Sequence, residues 1–218
     1  MDFGKLYVKY RFYAAIILLI IGILLHIFVH KGWQWSILLY IISISFILFD
    51  IFIGPMRYLQ KRVEAGDIEG AKEAMSWVRF PNLLFKPVRQ GYYMLQSNFD
   101  MANQDLDAAE ANIRKSLASK SDMMGTSQEG VSYLQLGGIA LQKSDNKEAL
   151  KNLKLAVQKG LPDDDNLATA YLQICTIYAQ RREIKIAKEY LRRANTLKVK
   201  NEEIKQHLKD INKQMARA

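Results

Sequence analysis

Two long stretches near the start of the chain contain no Asp, Glu, Lys or Arg: "FYAAIILLIIGILLHIFV" over residues 12–29 and "SILLYIISISFILF" over residues 36–49, after which Asp50 and "IFIG" reach residue 54. A helix needs about 20 mainly apolar residues to cross a hydrocarbon core, where the backbone must satisfy its own hydrogen bonds. The stretches therefore predict a transmembrane helical hairpin, with spans at about 12–29 and 36–54. A cleaved signal peptide would also place Lys5, Lys9 and Arg11 before an apolar run, but this run ends in "HIFVHKGW" instead of a small-residue cleavage site, and a second run follows at once. A buried hairpin of a water-soluble protein would need a large partner surface to cover helices that are apolar all round.

The flanks predict orientation. Lys5, Lys9 and Arg11 lie within residues 1–11, and Arg57, Lys61 and Arg62 follow the second span, whereas the loop "HKGWQW" carries Lys31. The positive-inside rule places both termini in the cytoplasm. Trp33 and Trp35 in the loop, with Tyr7, Tyr10, Tyr13 and Tyr58 at the other ends, have the positions of interfacial aromatic belts. The compact hairpin without low-complexity tails points to a bacterial inner membrane, with residues from 55 onward in the cytoplasm. A single cysteine, Cys175, cannot form an internal disulfide, which agrees with that compartment. Residues 181–218 hold twelve Lys or Arg against five Asp or Glu and contribute much of the formal net charge of +9; a solvated helix face is the reading for this stretch.

From residue 56 the apolar residues recur at three and four, with no β-branched alternation, so helices are expected throughout. Pro81, Pro87 and Pro162, with "AGD", "KSDN" and "PDDDN", divide them. Self-similarity is the next signal to seek. "YLQLGGIALQKSDNKEALKNLKLAVQKGLP" from Tyr133 aligns without a gap on "YLQICTIYAQRREIKIAKEYLRRANTLKV" from Tyr171. The matched series is Tyr133, Leu136, Gly137, Ala140, Ala149, Leu153 and Ala156 against Tyr171, Ile174, Cys175, Tyr178, Ala187, Leu191 and Ala194.

This order of large and small positions resembles the tetratricopeptide repeat (TPR), a pair of antiparallel helices whose small residues permit close crossing. Earlier, poorer copies contain Ala109, Ile113 and Ser116 preceded by Tyr93 and Ser97, and Ala71, Met75 and Val78 preceded by Leu59. Gln96 and Asp100 stand where the family has packing residues, which suggests a degenerate copy or a shifted helix. Ala71, Ala109, Ala149 and Ala187 are 38, 40 and 38 residues apart, against about 34 in the family, so longer loops such as "SKSDMMGTSQEG" are expected. The resulting expectation is an all-α chain: a transmembrane hairpin, a TPR-like α-solenoid of about four helix pairs over 55–200, and a capping helix over 201–218. In that cap Ile204, Leu208 and Ile211 share one face.

No catalytic or metal constellation outweighs its structural explanation. His26, His30 and His207 lack metal-ligand spacing with Cys or carboxylates. Cys175 occupies a small crossing position, where packing explains it. "PDDDN" reads as a helix cap instead of a cation site. Asp50, near the end of the second span, is expected to anchor that end by reaching the interface or pairing with Arg57. No enzyme, cofactor or metal is expected; an enzyme at the membrane boundary would have to use Asp50, His26 or His30. Nucleic-acid binding is not expected, because the basic C-terminal end lacks aromatic interleaving.

In the family, first helices line a groove that receives a peptide or helix. The resemblance assigns Met94, Asn98 and Met101, then Leu134, Gly138 and Leu141, then Leu172, Thr176 and Ala179 to that groove. These positions lack the Lys and Asn set with which some members clamp a terminal carboxylate. Their apolar character implies an apolar or amphipathic protein segment as partner, and the bland alternative is that the cap helix or a second copy covers the groove. The function this implies is a membrane-anchored scaffold or adaptor. An accessory or assembly subunit inside a larger membrane complex, with Ser43, Ser45 and Gly22 as helix contacts, is the alternative.

Overall fold

The computed structural model describes residues 3–28, 33–119 and 126–216. Among them are eleven α-helices, a 3-10 turn at Pro81–Leu83 and no strand. His30 and Lys31, with the central part of "SKSDMMGTSQEG", lie outside the described residues. The chain forms two compact units, Met1–Tyr92 and Tyr93–Ala218.

The first unit opens with α1 (Phe3–Phe28) and α2 (Trp33–Phe52), which pack together along their length. Segments Lys5–Phe28 and Gln34–Phe52 are long and apolar enough to cross a membrane. Their packing is inside out relative to a hairpin that folds in water. Arg11, Ala15 and Gly22 of α1 and Ser36 and Ser43 of α2 are buried, while Ile17, Ile20, Leu24, Ile41, Ile44 and Leu48 are exposed. Ser43 Oγ donates to the Ala15 carbonyl at 2.6 Å, and Tyr40 donates to the Gly22 carbonyl at 3.2 Å. Small residues let two helices approach in lipid, where burying apolar side chains brings no advantage.

The second apolar helix does not run directly into the next one. It ends at Phe52, and the chain turns through Gly54, with φ +59°, and Pro55 before α3 (Met56–Glu64) and α4 (Ile68–Ser76). Glycine suits that left-handed position because it has no Cβ to collide with the backbone.

Helix α5 (Lys86–Ala102) carries the boundary between the units; Pro87 fits its first turn, where the missing N–H has no intrahelical acceptor to lose. The second unit continues with α6 (Leu106–Ala118), α7 (Thr126–Gln142), α8 (Asn146–Lys159), α9 (Asp164–Gln180), α10 (Ile184–Asn195) and α11 (Glu202–Ala216). Its larger core contains Ala140, Ala149, Leu153, Ala156, Ile174, Cys175, Tyr178, Ala187, Leu191 and Ala194, ten of the fourteen aligned positions. Ile211 and Met215 of α11 join it, with Ile204 and Leu208 packed at its edge.

One turn recurs four times, between α3 and α4, α5 and α6, α7 and α8, and α9 and α10. Gly66, Gln104, Ser144 and Arg182 adopt φ of 71°, 60°, 61° and 63°. The next residue's amide then donates back five residues: Asp67 to Arg62, Asp105 to Asp100, Asp145 to Ala140 and Glu183 to Tyr178, at 2.8–2.9 Å. A left-handed residue followed by this long backbone bond satisfies the last carbonyls of the outgoing helix. Asp67, Asp105 and Asp145 also cap the incoming helix by accepting from the amides of Gly70, Ala108 and Glu148; Glu183 makes no such bond.

Gln96 and Asp100 of α5 take part in a polar network. Asp100 is buried and accepts from Gln96 at 3.3 Å and from Asn112 of α6 at 2.7 Å. Hydrogen bonds link these two polar residues of α5 and tie Asp100 to α6.

Candidate functional site

The groove positions assigned from the repeat divide into two groups. Met94, Leu134 and Leu172 are buried, at 9%, 8% and 1% exposure, so the largest apolar side chains among them pack inward. Met101 and Leu141 are half-buried against core clusters. Leu172 also shares a crevice with Ile204 and His207, so α11 shelters it. Asn98 is exposed, and Gly138, Thr176 and Ala179 are half-exposed. Thr176 donates its hydroxyl to the Leu172 carbonyl at 3.0 Å.

What this face presents is a row of amides, which hydropathy did not reveal. Gln135 and Gln173 are the third residues of the two "YLQ" copies, and each reaches toward the preceding first helix. Gln135 Nε2 donates to Asn98 Oδ1 at 3.0 Å. The equivalent neighbour of Gln173 is Gly138, and a Cβ built there would have Gln173 Nε2 at 4.0 Å and nothing nearer. The side-chain carbonyls Gln135 Oε1 and Gln173 Oε1 are buried without a hydrogen bond. Each of these amide side chains carries both a donor and an acceptor.

The remaining assigned residues have packing roles. Tyr133 and Tyr171 are half-buried at the core edge, while Leu136, Gly137, Ala149, Cys175, Tyr178 and Ala187 are buried. Burial raises the Cys175 thiol above its ordinary value, away from the thiolate that nucleophilic chemistry needs. Gly130 shows a close crossing that the alignment missed: a Cβ there would collide with the Gly160 carbonyl.

The acids of "PDDDN" act separately. Asp163 caps α9 through the Asn166 amide at 2.7 Å. Asp164 accepts from the Lys198 amide at 3.0 Å and Asp165 from the Lys200 amide at 2.7 Å, fastening the segment that leads into α11. Among the described residues no three His, Cys, Asp or Glu side chains group to hold a metal.

In the first unit Asp50 is not paired with Arg57, which is exposed. Its carboxylate accepts from Arg11 at 2.5 Å and from Arg79 at 3.1 Å, with the Asp50 and Arg11 side chains only 7% and 6% exposed. The Arg79 guanidinium lies 4.5 Å from the Phe12 ring centre and the Arg11 guanidinium 4.7 Å from that of Phe49. Rings that face such cations lower the cost of holding them out of water. Ser43 and Gly22 are occupied in the α1–α2 contact, whereas Ser45 is exposed.

Comparison with protein-family models, with curated proteins and with solved structures returns no match.

Proposed function

We propose that this chain is a non-catalytic adaptor in which α1 and α2 anchor helical, TPR-like repeats at the cytoplasmic face of a membrane, where the repeats hold a protein partner. The observation that carries the reading is the amide row of Asn98, Gln135 and Gln173 with its gap at Gly138. An extended segment exposes backbone amides that such a row can bond. The inside-out hairpin supports the anchoring half, since exposing a broad apolar face to water would drive association. An anchored module acts by raising the local concentration of what it holds.

A Gly138→Trp substitution tests the reading because it fills the gap without entering the core. In membranes solubilised under mild conditions, the wild-type chain should co-purify with a defined partner and the variant should lose it while keeping its helical signal. Unchanged co-purification would reject the face.

A further inference from the structure

We propose that the base of the hairpin holds one anionic phospholipid, its phosphate neutralising the Arg11 cluster and its two acyl chains lying in crevices on either side of Tyr7 and Phe46. The proposal rests on the membrane reading of α1 and α2.

The first observation is charge. Arg11 and Arg79 share the single carboxylate of Asp50, which leaves one positive charge in surroundings that are largely withdrawn from solvent. A charge left uncompensated away from water is costly, and a phosphate is the anion that membranes supply in abundance.

The second is an unmet donor. Arg11 is 7% exposed, and its Nε has no hydrogen-bond partner, although another nitrogen of the same group bonds Asp50 and the Gly54 carbonyl. A guanidinium satisfies several donors at once on a phosphate oxygen pair.

The third is shape. Arg11 lines a crevice of about 370 Å³ with Leu6, Tyr10, Ala14 and Leu18. A second crevice, about 490 Å³, is lined by Ile41, Ile42, Ser45 and Phe49. Tyr7 and Phe46 line both, so they stand as a divider between two apolar furrows. Two chains joined at one charged headgroup match two furrows that meet near one cation.

The test is native mass spectrometry of the full-length chain titrated in detergent with phosphatidylglycerol or phosphatidylcholine. The wild-type chain should retain one phosphatidylglycerol with at least a tenfold preference. Arg11→Gln should abolish the preference, Ala14→Phe should lower occupancy by blocking one furrow without touching the ions, and Arg57→Gln, on an exposed residue, should leave both unchanged. Equal retention of the two lipids by the wild-type chain overturns the proposal, as does a preference that survives both Arg11→Gln and Ala14→Phe, or one lost equally in Arg57→Gln. Alkaline carbonate extraction separates the two levels. Release from membranes sinks the anchor reading and the lipid site together, whereas a chain that stays embedded but shows no lipid preference sinks the lipid site alone.

Discussion

A Cβ on Gly137 would stand 2.7 Å from both Cγ and Cδ2 of Leu153, a fully buried residue of the helix that packs against it. Gly137→Ala must push those helices apart, costing about 1–3 kcal/mol, against a gain of about 1 kcal/mol in helix propensity. At Gly138 the space is open and the same substitution gains propensity alone. In thermal melts Gly137→Ala should therefore lower Tm by a few degrees and Gly138→Ala should raise it. Shifts of the same sign would refute the distinction between these neighbours.

The recurring turn places side chains where glycine is easier. Gln104, Ser144 and Arg182 have positive φ, while Gly66 occupies the matching place in the first turn. Gln104→Gly, Ser144→Gly and Arg182→Gly should each stabilise by roughly 0.5–1 kcal/mol, because a Cβ in this region crowds its own backbone. Glu183→Asp should add about 1 kcal/mol by supplying the cap that the other three turns have. Denaturant midpoints measure both effects.

Acid should weaken a contact that ties α6 to the end of α7. Lys143 bonds Asp107 at 2.5 Å and Glu110 at 2.7 Å. Lys143 and then Arg114 hold Glu110 below its ordinary value of 4.5. Its contribution is complete above that unfolded value and is lost as pH falls through the lower folded one. Tm should stay level near neutrality and fall below about pH 4.5. Lys143→Met should flatten that fall while costing under about 1 kcal/mol at pH 7, since the pair is partly solvated.

Removing the carboxylate shared by Arg11 and Arg79 should do more damage than removing a surface pair. Asp50→Ala leaves Arg11 buried without its counter-charge, a loss of about 3 kcal/mol or more. Adding Arg11→Leu should restore much of it, because Arg79, at 24% exposure, is less deeply buried than Arg11. Protease resistance in detergent reads both variants, and wild-type resistance in Asp50→Ala alone would contradict the cluster's structural role.

The regularly spaced alanines Ala71, Ala109, Ala149 and Ala187 were legible as interior positions, and all four are fully buried, where small side chains permit close helix crossing. The two apolar helices were legible from length and hydropathy alone. Which way a side chain faces was harder. Leu134 and Leu172 were assigned to a groove by register, but register does not say how closely the next helix approaches, and both are covered. Proximity in sequence offers Asp50 the interface or Arg57, yet its partners come from α1 and from Arg79, 29 residues onward. The same limit hid the bonds from Asp164 and Asp165 to residues 198–200 and the approach of Gly130 to Gly160. Such contacts depend on chain path, which periodicity does not encode.

The most direct test of the adaptor reading is a photoreactive amino acid placed at Gly138 in the full-length chain and, separately, at the exposed Lys147 of α8. After irradiation of native membranes, a crosslinked product of one defined mass is expected from position 138 and none from position 147. No product from position 138, or the same product from both, would contradict the adaptor reading.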